Sequence, residues 1–379
     1  MAYKAQYNHN FGDLNCSVAQ RWPEKEIIKK KGKQNQTLGL ALSGGGYRSA
    51  IFNYGVLKGL YNLKQISKID YLSAVSGGSW IATPFSMSKT HKWFFDDIET
   101  HANFIEEGFE SFLANPIRLA QEAALARKNI NYISNMYGRL LAKTFLREQG
   151  QLSRYKPLAD IRMIKDNYRP FLIINGTVNF RSPSGFSVTQ ECFEMTRLYC
   201  GSRSLGYTSS KELKAREKII RVRDAIAISG AAVAYHLPAL GGEVAGLGLS
   251  REIVNYAKQN KPDVADTDHL DISDGGHYNN LGVESLINRG CGQIIIVDAE
   301  HDKQKPDQYR SGQEYEGLKT LIRRHHIPNP IAEDMIEQLD AINKPLHIFD
   351  GPDGIPDILY IKLKSFNQFD DYAKKKDYN

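Results

Sequence analysis

The chain has 379 residues, 41% of them hydrophobic, enough to bury a sizeable core as one large α/β domain or as two ordinary ones, and this excludes a disordered tail. Its 49 basic and 43 acidic residues leave a formal charge of +6, too mild at this length to argue for nucleic acid. Four cysteines (Cys16, Cys192, Cys200 and Cys291) form no CxxC pair, which excludes a zinc ribbon and a disulfide scaffold.

In chain order, the first 35 or so residues are polar, with little periodicity, and read as an extended lead-in without the apolar core of a signal peptide. The lysine run at 29–33, like a second basic stretch at 211–223, reads as a solvated face, with an anionic membrane surface as the alternative. From Thr37, "TLGLAL" has the all-apolar character of a buried parallel strand. The glycines 44–46 follow, then a helix in which Ala50, Tyr54, Leu57 and Tyr61 fall on one stripe. The same plan recurs: "IDYLSAVS" (69–76) is a second strand, ended by the small-residue turn "SGGS" and followed by "WIATPFSM". Pro84 deletes a backbone donor, so that helix is expected to be short, bent or late in starting.

Residues 96–149 contain no strand-like run and read as a helical insertion. Within it Arg139, Lys143 and Arg147 recur at helical spacing, which reads as the polar side of an ordinary surface helix, with an amphipathic helix lying on anionic lipid as the alternative. Strands are expected again at 170–180, 292–299 and 357–364. The apolar stretch 225–249 is rich in Ala and Gly and holds Pro238 and Glu243, so it reads as packed interior and not as a membrane span. Alternating strands and helices give a three-layer α/β/α fold around a mostly parallel sheet. The expected organisation is an N-terminal extension (1–36), a catalytic domain (37–303) and C-terminal helices with a final strand packed on the same domain (304–379).

In such sheets ligands bind at strand ends, and both glycine-rich turns lie there. "AVSGG" (74–78) has the form small-x-Ser-x-small, which lets Ser76 sit on a strained strand-to-helix elbow, where bulk at Ala74 or Gly78 would strike the neighbouring strand and helix. A serine nucleophile needs a site for the oxyanion and a base. The N–H groups of Gly44, Gly45 and Gly46, at the positive end of a helix, form an anion cradle. Its occupant is an oxyanion or a phosphate, although the loop has neither the G-x-x-x-x-G-K-[ST] nor the G-x-G-x-x-G spacing. Arg48 would hold a phosphate head group or brace the loop. For the base, His277 and His301 qualify by position, and so does Asp274, which ends a short apolar strand before Gly275 and Gly276. The acidic run 263–274 does not have calcium-loop spacing, and "VDAEHD" (297–302) reads as a strand end capping the sheet, so no metal and no cofactor are expected.

Taken in order, "SGGGYR", "AVSGGSW", "AIAISGAA" (225–232) and "SDGGHYNNLG" resemble the glycine-rich loop, nucleophile elbow, underlying helix and catalytic-aspartate turn of the patatin-like phospholipases, which share their catalytic domain with the cytosolic phospholipase A enzymes. The resemblance runs from about Thr37 to Asp302; its departures are Ala74 in place of the usual glycine and Pro84. It implies a Ser76–Asp274 dyad without histidine, an oxyanion hole at Gly44–Gly46, Arg48 on the loop or the substrate phosphate, and Gly78, Gly275, Gly276, His277 and Asn280 in support. The implied activity is hydrolysis of phospholipid or lysophospholipid esters at a membrane surface, in the cytoplasm and peripheral to membranes, with export by a non-Sec route left open. The alternatives are a catalytically silent lipid- or protein-binding scaffold and a phosphate-binding module. Oligomeric state is not legible.

Overall fold

The computed structural model describes residues 22–29, 37–88, 90–96, 137–139, 141–142, 144–146, 156–161, 170–181, 188–215, 218–231, 251–257, 268–299, 346–351 and 356–363. After helix α1 (Glu24–Lys29), strand β1 (Leu38–Leu42) leads into α2 (Gly46–Asn62), and β2 (Tyr71–Val75) into α3 (Gly77–Met87) and α4 (His91–Asp96). Strands β3 (Phe171–Arg181), β4 (Val188–Met195), β5 (Tyr199–Ser202) and β6 (Gly206–Ser209) follow, then a two-stranded ribbon of β7 (Lys214–Ala215) and β8 (Lys218–Ile219). Helix α5 (Val222–Ser229), β9 (Arg251–Val254), β10 (His269–Asp274), α6 (Glu284–Asn288), β11 (Gln293–Asp298), β12 (Leu346–Phe349) and β13 (Asp357–Lys362) complete the described chain.

Eleven strands form one mixed sheet in the order β12-β13-β11-β1-β2-β3-β4-β5-β6, with β10 paired to β3 and β9 to β10. The neighbours β13, β11, β1, β2 and β3 run parallel, as the apolar runs imply. The flank β3 to β6, the pairs formed by β10, and β12 on β13 are antiparallel. Side chains alternate between two cores, one per face: Leu40, Leu42, Leu72 and Ala74 pack with α2, α3 and α5, whereas Ala41, Tyr71, Ile294 and Ile296 pack with Leu286 of α6 and with Trp22. Each fully buried aliphatic or aromatic side chain here contributes about 1.5–3 kcal/mol.

β3 organises the site. Residues 171–175 pair in parallel with β2, and residues 176–179 pair antiparallel with β10. Because β4 occupies the other edge throughout Ile174–Arg181, β2 and β10 share a single edge of β3 and meet there end to end.

Two expectations change. The lead-in is not extended throughout, because α1 docks on the domain. Trp22 and Glu24 are buried, and the Trp22 indole N–H donates to the Asn288 carbonyl at 3.1 Å. The guanidinium of Arg289 lies 4.0 Å from the Trp22 ring centroid, donates to Glu24 at 3.0 Å, and forks onto Glu194 at 2.8 and 2.9 Å. Helix α3 is neither late nor short: it starts directly after Ser76 and runs through Pro84 to Met87. The proline falls in the last turn, removing only one donor, and every residue from Gly77 to Ser86 is buried, so packing outweighs the lost bond. Most of the helical insertion, residues 97–136, lies outside the described residues, as do Lys143 and Arg147; Arg139 is helical and exposed.

Candidate active site

Ser76 follows the last residue of β2 with φ 49° and ψ −124°, one of two non-glycine residues with positive φ among the described residues. A β-carbon-bearing residue in this region stores about 1–3 kcal/mol of strain, sustained only by its surroundings. Its backbone is held on both sides. The N–H donates to Ser229 Oγ at 2.9 Å, and the carbonyl accepts from Ser79 N–H at 2.9 Å and Ser79 Oγ at 2.7 Å. The demand for small residues is visible in the packing. A Cβ on Gly77 would collide with the Gly46 carbonyl, and one on Gly78 would lie 2.5 Å from the Leu42 carbonyl oxygen and 2.7 Å from that of Ser43. Ala74, on the other side of the elbow, is fully buried in the core with its methyl accommodated.

Asp274 ends β10 and is 1% exposed. Its Oδ1 accepts the Gly276 N–H at 2.6 Å, and its carbonyl accepts Thr177 Oγ1 at 2.6 Å. Val75 is opposite Asn175 on β3, and Asp274 is opposite Gly176, the next residue on the same edge. The strand leading into Ser76 and the strand ending in Asp274 thus point their C-termini at each other across one register step. Asn280 stands between them: a Cβ on Gly44 would overlap its Oδ1 and come within 3.0 Å of Ser76 Cβ, while one on Gly276 would lie 2.9 Å from that Oδ1 and 3.0 Å from Asp274 Oδ1. Among the described residues Ser76 Oγ has no hydrogen-bond partner, the Asp274 carboxylate included.

The glycine loop divides its labour. The Gly44 N–H donates to the Asn280 carbonyl at 2.9 Å and is committed to holding the loop on the aspartate turn. Gly45 (φ 127°) and Gly46 (φ 66°) take conformations that favour glycine, their N–H groups meet no acceptor among the described residues, and the space above Gly46 is open. Arg48 Nη2 donates to the Ala299 carbonyl at 3.3 Å, the oxygen that a Cβ on Gly45 would approach to 3.0 Å, so Arg48 ties the loop to the end of β11. Just before that end, buried Asp298 accepts from Lys362 at 2.7 Å and from Tyr360, in keeping with a capping role.

His277 is directed elsewhere. Its Nδ1 lies 2.9 Å from Ser273 Oγ, and side chains alternate along a strand, so Ser273 faces away from Asp274. Burial lowers the imidazole pKa, opposed in part by the charge of Asp271. His301 lies outside the described residues.

Several residues of the site escape sequence reasoning. Ser229, at the end of α5 and within the stretch 225–232 read as the underlying helix, and Asn175 contribute through a hydroxyl and a carbonyl that residue type alone does not single out. Tyr137 is buried and donates to the Gly230 carbonyl at 2.9 Å; burial first, then the negative charge of Asp274, pushes its phenol well above the ordinary value. Tyr47, Trp80 and Phe145 form an aromatic wall, with ring centroids 5.5–6.0 Å apart.

A family model described as "Patatin-like phospholipase" matches residues 40–287. No curated protein matches the chain in sequence. Among solved structures it is similar to human GIVD cytosolic phospholipase A2, with TM-score 0.60 and 16% identity over 89% of this chain and 55% of that one. It is also similar to the same human protein in complex with methyl γ-linolenyl fluorophosphonate, with TM-score 0.54 and 17% identity over 89% of this chain and 51% of that one. The chain thus spans about half the length of the structures it matches, and at this identity the likeness is one of fold.

Proposed function

The chain belongs to the patatin-like phospholipase family, and from that membership we propose that it hydrolyses carboxylic esters of glycerophospholipids or lysophospholipids through a Ser76–Asp274 dyad. The observation that carries this reading is the shared edge of β3, where the strand ends bearing Ser76 and Asp274 abut at Asn175 and Gly176.

In the first half-reaction Ser76 Oγ forms a bond to the ester carbonyl carbon while its proton passes to the Asp274 carboxylate. The carbonyl electrons move to the oxygen, which the free amides of Gly45 and Gly46 receive, while Gly44 anchors the loop to Asn280. Collapse of the tetrahedral species breaks the bond to the alcohol, which takes the proton back from Asp274. Water then repeats the sequence on the acyl-serine, giving free fatty acid and restoring both side chains. The Gly276 N–H on Asp274 Oδ1 fixes the orientation of the carboxylate at the end of β10. The hydroxyl and the carboxylate are not hydrogen-bonded to each other in the free protein, and bonds of this kind commonly tighten only on substrate binding.

Half-buried Tyr47, packed on the buried rings of Trp80 and Phe145, offers the acyl chain an aromatic surface beside the glycine loop. No helix among the described residues is long and apolar enough to cross a membrane. Contact with lipid is proposed at the bilayer surface, where Ile51, 59% exposed on α2 one turn beyond Arg48, would meet the interface.

The silent-scaffold alternative rests on the unbonded Ser76 Oγ, and a single experiment separates the two. Wild type, Ser76→Ala and Asp274→Asn are incubated with a mixed phospholipid extract, and the released lysolipids and fatty acids are measured by mass spectrometry. Products are expected from wild type alone, with all three proteins melting alike. Turnover retained in either variant would refute the dyad, and an inert wild type that also resists fluorophosphonate labelling would favour the scaffold.

A further inference from the structure

We propose that Ser229 is a positioning residue for this reaction: its side-chain hydroxyl sets the spacing between the nucleophile-bearing strand and the aspartate-bearing strand. This inference rests on the Ser76–Asp274 reading and extends it to a residue outside both turns.

Ser229 is completely buried at the C-terminal end of α5. Its Oγ accepts the Ser76 N–H at 2.9 Å and donates to the Asn175 carbonyl at 2.7 Å. A hydroxyl has one proton to give and lone pairs to receive, so both roles are filled at once. The location is a fork. Up to Val75 and Asn175, β2 and β3 are joined by their own ladder; at the next position β3 takes Asp274 as partner and β2 must leave. The hydroxyl fills that gap, bonding the first amide of the departing chain to the last β3 carbonyl before the aspartate's register begins.

The oxygen is itself firmly held. Ile228 Cγ2 would lie 3.2 Å from a Cβ on Gly176, the residue opposite Asp274. Gly230, immediately after Ser229, lies against the Trp80 indole, and its carbonyl receives the Tyr137 hydroxyl. The end of α5 is therefore pinned on both sides, and the hydroxyl serves as a fixed spacer. Losing the hydroxyl removes the acceptor of the Ser76 N–H, and the positive-φ elbow, sustained only by its surroundings, is then free to relax.

Ser229→Ala removes the spacer, and Ser229→Cys replaces it with a larger group that fills the site but makes longer, far weaker hydrogen bonds. Both are compared with wild type and Ser76→Ala on a monomeric short-chain ester and a fluorophosphonate probe, at a temperature where all are folded by circular dichroism. The expected result is a fall in kcat of about 10- to 100-fold, the penalty for displacing a reacting group by a fraction of an ångström to an ångström. KM should stay unchanged, and the rate constant for fluorophosphonate inactivation should fall by the same factor. If Ser229→Ala does not fold, Ser229→Cys carries the test, because it leaves no cavity. A kcat within twofold of wild type, with only the melting temperature lowered, would overturn the proposal, as would a rise in KM at constant kcat. A wild type that the probe labels no faster than Ser76→Ala would sink the dyad itself, and with it this inference.

Discussion

Gly78→Ala opposes two effects of known sign. In a helix alanine is favoured over glycine by up to about 1 kcal/mol, so propensity alone predicts a more stable protein. Packing predicts the reverse, since the new methyl carbon would lie 2.5 Å from the Leu42 carbonyl oxygen and 2.7 Å from that of Ser43. Both oxygens belong to backbone, at the end of β1 and the start of the glycine loop, and no side-chain rotation relieves them. Ordinary contact begins near 3.4 Å, so relief demands that α3 and the loop part by about 0.9 Å. Overpacking of this kind costs about 1–3 kcal/mol, and with two rigid partners the upper end applies, leaving a net loss of about 1–2 kcal/mol after the propensity gain. The same movement separates Ser76 from the Gly45 and Gly46 amides, and a displacement near 1 Å costs about 100-fold in rate. Thermal unfolding and the rate of fluorophosphonate inactivation measure the two effects. A variant as stable and as reactive as wild type would show that the elbow does not require glycine at this position.

Arg289→Met should cost about 3–5 kcal/mol in urea unfolding, because it leaves Glu24 and Glu194 buried around an absent cation; a loss below 1 kcal/mol would mean that these carboxylates find other partners. His277, whose pKa is lowered by burial, gives up protons in the folded state that the unfolded chain retains near pH 6.5. It therefore contributes stability above that pH, and the contribution is lost as pH falls through the lowered folded value. The melting temperature of wild type should accordingly drop more between pH 7.5 and pH 5 than that of His277→Asn, and equal drops would contradict this. Arg48→Ala removes a charge-assisted bond to Ala299 and should slow hydrolysis roughly tenfold on a phospholipid and on a neutral ester alike. A loss confined to the phospholipid would assign Arg48 to the head group instead.

What the sequence makes legible is chemistry that is local along the chain. The glycine loop, the Ser76 elbow and the Asp274 turn each announce themselves within ten residues, because a strained turn, an anion cradle and a strand end all need small side chains side by side. The commitment of the Gly44 amide to Asn280 is not legible, since it pairs backbone groups far apart in sequence and leaves no trace in residue type. Ser229 lies inside a stretch that reads as a packed helix, and nothing there distinguishes its hydroxyl from any other. Trp22 and Glu24 look like parts of a polar leader until Arg289 supplies their partner. The antiparallel strands β4 to β6 carry polar residues such as Gln190, Glu191 and Glu194 between apolar ones, so they give no apolar run comparable to β1 or β11.

With one strand serving as the common ruler for the strand ends that carry Ser76 and Asp274, the loops that connect them are relieved of any duty to fix distance. Insertions or deletions between Ser76 and β3, or between β9 and β10, leave the pairing of Val75 with Asn175 and of Asp274 with Gly176 in place. If the proposed hydrolysis holds, a fold so arranged can change the acyl groups it admits without recalibrating its chemistry.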